Sequence, residues 1–155
     1  MELPRYEKIW LITGSITLVI FLVLLGIMGF AMGFNPSGHM KTIAPDQVGA
    51  TPPFDKPGLF TVADKEYRAV MQAKVFAFLP GEMTIPAGSK IHFEVTSPDV
   101  VHGMYIAGTN VNMMIVPGHI SEFTHTFNKP GDYLILCNEY CGSGHHLMLG
   151  RIIVQ

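Results

Sequence analysis

The chain is poor in charged residues and in cysteine. Only 14% of its 155 residues are charged, whereas about a quarter is usual in soluble domains. Ten basic and twelve acidic residues leave a formal net charge of −2. Because no basic run occurs, nucleic acid is excluded as a partner on electrostatic grounds. Two cysteines are too few for a disulfide scaffold, and the length predicts one domain with an appendage.

From Ile9 to Phe34 there are 26 residues without a single charge. As a helix it would be about 39 Å long, and the hydrocarbon core of a bilayer is about 30 Å thick. A cleaved signal peptide has a shorter apolar stretch of about 7–15 residues. We therefore expect a single retained transmembrane helix over residues 9–34, in contact with a lipid membrane.

The charges beside this segment suggest its orientation. Arg5 and Lys8 precede it, and only Lys41 follows closely. Since basic residues are enriched on the cytoplasmic side of membrane helices, residues 1–8 are predicted to be cytoplasmic. The sequence thus predicts a single-pass protein of the cell inner membrane, with its folded domain on the periplasmic or extracellular side.

Residues 35–66 are rich in proline and glycine. Proline removes a backbone donor and restricts φ, so neither a long helix nor a central strand fits this composition. The segment is predicted to be a linker between the membrane helix and the folded domain.

Residues 67–155 show the pattern of a β domain. Ile91, Phe93 and Val95 alternate with polar residues, which is the period of a strand with one wet face. Residues 69–79 form a long strand-like run, and residues 133–137 and 151–154 are further strands. Proline–glycine turns separate the runs at the spacing of a sandwich or barrel. The fold class predicted is all-β, a Greek-key β-sandwich of about 90 residues behind a single N-terminal transmembrane α-helix.

One loop combines four metal-binding side chains. Residues 137–148 read C-N-E-Y-C-G-S-G-H-H-L-M, which places Cys137, Cys141, His145 and Met148 within twelve residues. Soft sulfur together with imidazole selects copper, zinc or iron–sulfur chemistry, and the thioether favours copper over zinc. His102, 35 residues before Cys137 at the end of a strand-like run, is the best candidate for a second histidine ligand.

Other interpretations of these residues remain open from the sequence alone. The two cysteines can form a disulfide in an oxidising compartment. The spacing C-x-x-x-C followed by histidine also fits a zinc site. Met148 by itself is typical of core filling.

The motif C-x-E-x-C-G-x-x-H-x-x-M with an upstream histidine resembles the binuclear CuA site. Combined with one N-terminal membrane segment, it resembles subunit II of haem-copper cytochrome c oxidases, in particular the B family (ba3-type), whose subunit II has a single membrane helix. Further matching stretches are Val75–Phe78, Thr96–Val100, Gly108–Asn110 and Arg151–Val154. The resemblance implies a cupredoxin fold for residues 67–155.

The resemblance also implies roles for individual residues. Cys137 and Cys141 would bridge two copper ions; His102 and Met148 would complete one ion, and His145 with the backbone carbonyl of Glu139 would complete the other. The Glu139 side chain would help to hold a magnesium ion at the interface with subunit I. No substrate is transformed at such a site, so this chain contributes electron transfer to the oxidoreductase and supplies no catalytic residue for oxygen chemistry.

The implied function is the electron-entry subunit of a terminal oxidase. Cytochrome c would be the donor, and subunit I would carry the haems and CuB that reduce oxygen to water. A small additional membrane subunit is a further implied partner. The only tryptophan is Trp10, so the tryptophan-rich entry patch of the larger relatives is absent, and Phe76 or Phe78 is predicted to replace it. Glu7 resembles the residue at the mouth of a proton-uptake path into subunit I.

Two other functions are compatible with the same residues. The first is the CuA subunit of a nitric oxide reductase, in which the site would look identical. The second is a membrane-anchored copper carrier or chaperone, which would be isolated without haem.

Overall fold

The protein is described by a computed structural model that covers residues 3–34 and 38–155, with the backbone only for residues 38–40. The first unit is an apolar helix. Helix α1 runs over Arg5–Gly26 and is continued by a π-helical turn over Ile27–Ala31. The helix is long and apolar enough to cross a membrane, and none of its residues is buried by the protein. Taken together, α1 and the π-helical turn begin four residues before the predicted span and end at Ala31, three residues before Phe34.

The second unit is a sandwich of two β-sheets. Its strands are β1 (Gly38–Thr42), β2 (Gly58–Ala63), β3 (Glu66–Lys74), β4 (Ala77–Leu79), β5 (Glu82–Ile85), β6 (Ser89–Thr96), β7 (His102–Ile106), β8 (Asn112–Ile115), β9 (His119–Phe127), β10 (Gly131–Leu136) and β11 (Leu149–Val154). The first sheet has the order β1-β9-β6-β3-β2, with β4 on β3, and the second has the order β5-β11-β10-β7-β8. The predicted all-β sandwich is confirmed.

The core lies between the two sheets and follows the predicted alternation. Ile91, Phe93 and Val95 of β6 are buried, whereas His92 and Glu94 between them are partly exposed. The predicted turns also lie between strands, because proline and glycine at these positions favour the turn and interrupt the ladder. His125 is half-buried against Phe127, as expected for a core histidine, and its Nδ1 lies 2.7 Å from the amide oxygen of Asn110.

The segment predicted as a linker contains two strands of the first sheet. Strand β1 pairs with β9 and β2 pairs with β3, so each forms one edge of that sheet. The linker prediction is wrong for these residues because the prolines in the described part of the segment, Pro45, Pro52, Pro53 and Pro57, all lie between the two strands and not within them. An edge strand pairs on one side only, so it requires no long apolar run. Residues 35–37 of the predicted linker lie outside the described part of the chain.

The run predicted as one strand over residues 69–79 is a hairpin. Strand β3 ends at Lys74, Val75 and Phe76 form the turn, and β4 pairs back onto β3. Its residues suit a strand throughout, so local composition does not reveal the reversal. The reversal places Phe76 at the surface and returns Phe78 to the core.

Candidate metal centre

The predicted ligands come together at one end of the second sheet. His102 is the first residue of β7, Cys137 directly follows β10, and Met148 directly precedes β11. Because β10 pairs with both β7 and β11, these three positions are neighbours across the sheet. Residues 137–144 form the loop between β10 and the short 3₁₀ helix that begins at His145. Distant parts of the sequence therefore meet around this loop.

The two cysteines are close together without forming a disulfide. Both thiols are free and buried, and their Sγ atoms are 3.8 Å apart, compared with about 2.05 Å in a disulfide. A thiolate binds a metal such as zinc at about 2.3 Å. Sulfur atoms at the observed separation can therefore both bind one metal ion placed between them.

Four more donors surround the sulfur pair. The Nδ1 atom of His102 is 3.9 Å from Cys137 Sγ, and the Nδ1 atom of His145 is 3.6 Å from Cys141 Sγ. The thioether of Met148 is 3.8 Å from Cys141 Sγ, and the carbonyl oxygen of Glu139 is 3.2 Å from Cys137 Sγ. Two thiols, two imidazoles, a thioether and a carbonyl form a set of mainly soft donors. The residues fit a copper centre.

Burial favours the protonated form of Cys141. Burial, followed by the neighbouring Cys137 thiol, raises the pKa of Cys141 to about 11. The thiolate is the form that binds metal, so metal binding at this site must release a proton. The protein therefore keeps this sulfur as a thiol until a metal ion replaces the proton.

Asp99 orients the buried His102, a role that the sequence analysis did not identify. The Oδ1 atom of Asp99 lies 2.9 Å from His102 Nε2, and its Oδ2 atom accepts a hydrogen bond of 2.8 Å from the backbone N–H of Val75. Burial acts to raise the pKa of Asp99, but hydrogen bonds, first among them that of His102, outweigh burial and lower it. A carboxylate at Nε2 leaves Nδ1 as the metal-binding atom. The sequence feature that could have indicated this contact is an acidic residue three positions before a candidate histidine ligand.

Comparison with known proteins identifies the family. Residues 66–155 match the family described as cytochrome c oxidase subunit II, periplasmic domain. The chain is also 36% identical over 154 residues to cytochrome c oxidase subunit 2 of Thermus thermophilus, a match that covers 97% of this chain and 92% of that protein. The chain belongs to the cytochrome c oxidase subunit II family. The resemblance inferred from the copper motif is confirmed.

Solved structures agree with this membership. A chain in the cryo-electron microscopy structure of a haem-copper terminal oxidase dimer matches with a TM-score of 0.82 at 33% identity, covering 97% of this chain and all of that one. The periplasmic domain of subunit II of cytochrome oxidase from Bradyrhizobium japonicum shares the fold, with a TM-score of 0.53 at 21% identity, covering 64% of this chain and 86% of that one. This subunit II is therefore part of a haem-copper oxidase, an oxidoreductase complex that includes subunit I.

The two phenylalanines predicted for electron entry occupy different environments in this subunit II. Phe76 is 38% exposed, whereas Phe78 is 1% exposed and packs in the core. The prediction of a surface contact at Phe78 is therefore wrong, because the hairpin turn inverts the sides on which neighbouring side chains lie. Two methionines of β8 differ in the same way, because Met114 is exposed and Met113 is buried.

Phe76 packs directly on the loop of residues 137–144, the ligand loop. A Cβ atom added to Gly144 would lie 2.7 Å from Cγ of the Phe76 ring, and one added to Gly142 would lie 3.0 Å from its Cε1. Only glycine leaves room for the ring at these positions. Phe76 thus joins the protein surface to the segment between Cys141 and His145.

The remaining predicted site residues are at exposed positions. Glu7 lies in the first turn of α1, and the side chain of Glu139 is exposed within the ligand loop. Magnesium binding at Glu139 and proton uptake at Glu7 stay predictions. His146, the neighbour of His145, is also exposed.

Proposed function

We propose that this subunit II holds a binuclear CuA centre and is the electron-entry point of its oxidase. Cys137 and Cys141 would hold both copper ions, His102 and Met148 would also hold one of them, and His145 with the backbone carbonyl of Glu139 would also hold the other. The observation that carries the proposal is the pair of buried thiols 3.8 Å apart with all four remaining donors within 4 Å of a cysteine sulfur.

The protein residues prepare the site for rapid one-electron transfer. When bound, copper would supply one-electron redox chemistry at this site. His102 is held by Asp99, and Cys137, Cys141 and Met148 are buried in the core. Rigid ligands in an apolar shell limit rearrangement and influence the reduction potential.

Donor and acceptor lie on other chains in this proposal. Cytochrome c docks through apolar contact with exposed residues such as Phe76 and Met114, and subunit I contains the haems and CuB that reduce oxygen to water. A small membrane subunit and a magnesium ion at Glu139 complete the proposed assembly. The chain crosses the inner membrane once through α1, with residues 1–8 in the cytoplasm and the β-sandwich in the periplasm.

The copper content of the full-length subunit, isolated in its complex, tests the proposal. We expect two copper ions in this subunit and an electron paramagnetic resonance signal from one electron shared by two copper nuclei. A four-line signal from a single copper in this subunit, or zinc at the site, would contradict the proposal. Nitric oxide consumption in place of oxygen consumption would indicate a nitric oxide reductase, and isolation without haem would indicate a copper carrier.

A separate prediction concerns proton uptake at Glu7. A carboxylate at the membrane surface can collect protons from the inner aqueous phase and transfer them to a polar chain inside the membrane protein. We expect Glu7→Gln to slow steady-state oxygen reduction several-fold, while reduction of the copper pair by cytochrome c keeps its rate. Both rates are measured on the intact complex.

Measuring turnover of Glu7→Gln over a range of pH distinguishes proton uptake at Glu7 from a purely anchoring role. Unchanged turnover between about pH 6 and 9 would show that Glu7 is only an anchor in the headgroup region. The copper-reduction rate of the same variant is the internal control, because a general loss of assembly would lower both rates together.

A further inference from the structure

We infer that Asn138 is a positioning residue, whose side-chain amide holds the Glu139 carbonyl in place for the metal centre. This inference rests on the proposed function. It concerns the one predicted ligand that belongs to the main chain. A main-chain oxygen cannot be moved by a side-chain rotamer, so its position depends on how the backbone of residues 138 and 139 is held.

The first contact that holds this backbone is a hydrogen bond between two amides. The Nδ2 group of Asn138 donates to Oδ1 of Asn112 over 3.0 Å. Asn112 is the first residue of β8, which pairs with β7. The hydrogen bond therefore ties the ligand loop to the strand beside the one that begins with His102.

The second contact is a close approach to Gly103, the neighbour of His102. A Cβ atom at Gly103 would overlap Oδ1 of Asn138 and would lie 2.9 Å from the backbone nitrogen of Glu139. Gly103 is buried within β7, so the glycine is needed here for space rather than for an unusual backbone angle. The amide of Asn138 thus rests against one strand while it is bonded to the next.

A small cavity beside the Asn138 amide gives the ligand loop space to move if the hydrogen bond to Asn112 is lost. A cavity of about 210 Å³ is lined by Gly103, Asn112, Met113, Met114, Asn138 and Glu139. Residues 137–144 are outside the regular strands and helices. Without the bond to Asn112, the loop has room to move toward this cavity, which would take the Glu139 carbonyl away from Cys137 Sγ, now 3.2 Å distant.

Two variants with the same added charge test the inference. Asn138→Asp removes the donor and places a carboxylate against the Oδ1 atom of Asn112. Asn112→Asp adds the same charge at the acceptor end of this hydrogen bond but keeps an oxygen that accepts from Asn138. Both are made in the full-length subunit within its complex, and the measurements are the rate of copper loss to a chelator and the electron paramagnetic resonance spectrum.

We expect roughly tenfold faster copper loss in Asn138→Asp, the lower end of the range for residues that support metal ligands. Its spectrum should show a less even sharing of the electron between the two coppers, because one ion has lost its carbonyl ligand. Asn112→Asp should match the wild type in both measurements. Gly103→Ala should reproduce the spectrum of Asn138→Asp, since its added methyl group displaces the same amide.

The possible results separate this inference from the proposed function. A wild-type subunit without a copper pair would overturn both. A wild-type copper pair that is unchanged in Asn138→Asp, or that is changed equally in the two aspartate variants, would overturn only the role of Asn138. If Gly103→Ala does not fold, the two aspartate variants still decide the question.

Discussion

Cys141→Ser is expected to abolish the shared-electron copper signal and the reduction of the oxidase by cytochrome c. The Cys141 sulfur lies within 4 Å of three other candidate donors, which are Cys137, His145 and Met148. A hydroxyl is a hard, protonated group that does not replace a bridging thiolate for copper. Copper content and the electron paramagnetic resonance spectrum of the isolated complex measure the effect.

The matched control is Ser143→Ala, two residues further along the same loop. Ser143 is exposed and is not among the predicted ligands, so this variant should keep both copper ions and the wild-type spectrum. His146→Ala should behave in the same way, because His146 is exposed beside the proposed ligand His145. Retention of the shared-electron signal in Cys141→Ser would refute the assignment of Cys141 as a bridging ligand.

The second large effect is expected at Phe76, where alanine should slow electron delivery from cytochrome c. The Phe76 ring is exposed to a docking partner and packs on Gly142 and Gly144 of the ligand loop. Loss of an aromatic contact at the centre of an interface costs about 1.4 kcal/mol or more, which corresponds to about a tenfold effect. Stopped-flow reduction of the intact complex by cytochrome c measures this rate.

Phe60→Ala is the matched control for Phe76. Phe60 is also an exposed phenylalanine, but it lies on the edge strand β2 opposite Arg68, near the start of β3, whereas Phe76 follows the end of β3. Its loss should therefore leave the rate unchanged. Equal slowing in both variants would contradict docking at Phe76.

The same experiment should show only a mild dependence on ionic strength. Residues 35–155 contain eight basic and ten acidic side chains, which is 8 − 10 = −2. Such a balanced charge provides little long-range steering. A fall of two decades in rate between low and physiological salt would show that charged groups, and not the apolar surface at Phe76, control docking.

Candidate ligands could be identified from the sequence because metal-binding chemistry depends on residue type and spacing. Five of the six predicted donors are side chains that bind soft metals, and four of these are within one loop of twelve residues. The apolar helix and the strands flanked by proline–glycine turns were predictable for a similar reason. In each case the signal is local, since hydropathy, periodicity and turn residues are properties of adjacent positions.

The tertiary structure alone decided the features that depend on contacts between distant residues. Edge strands β1 and β2 gain their structure from pairing with β9 and β3, which their own composition does not indicate. Likewise, Asn138 acquires its environment only when β7 and β8 lie beside the ligand loop.

The sequence by itself determined which side chains are candidates for binding a metal and that an apolar helix precedes the domain. It did not determine that Phe76 lies outside and Phe78 inside, because a reversal after Lys74 changes the side on which each residue lies without changing its type. It also did not reveal the contact between Asp99 and His102, although the two residues are only three positions apart. Spacing along a chain specifies chemistry, whereas burial and hydrogen-bond partners are set by the packing of one strand against another.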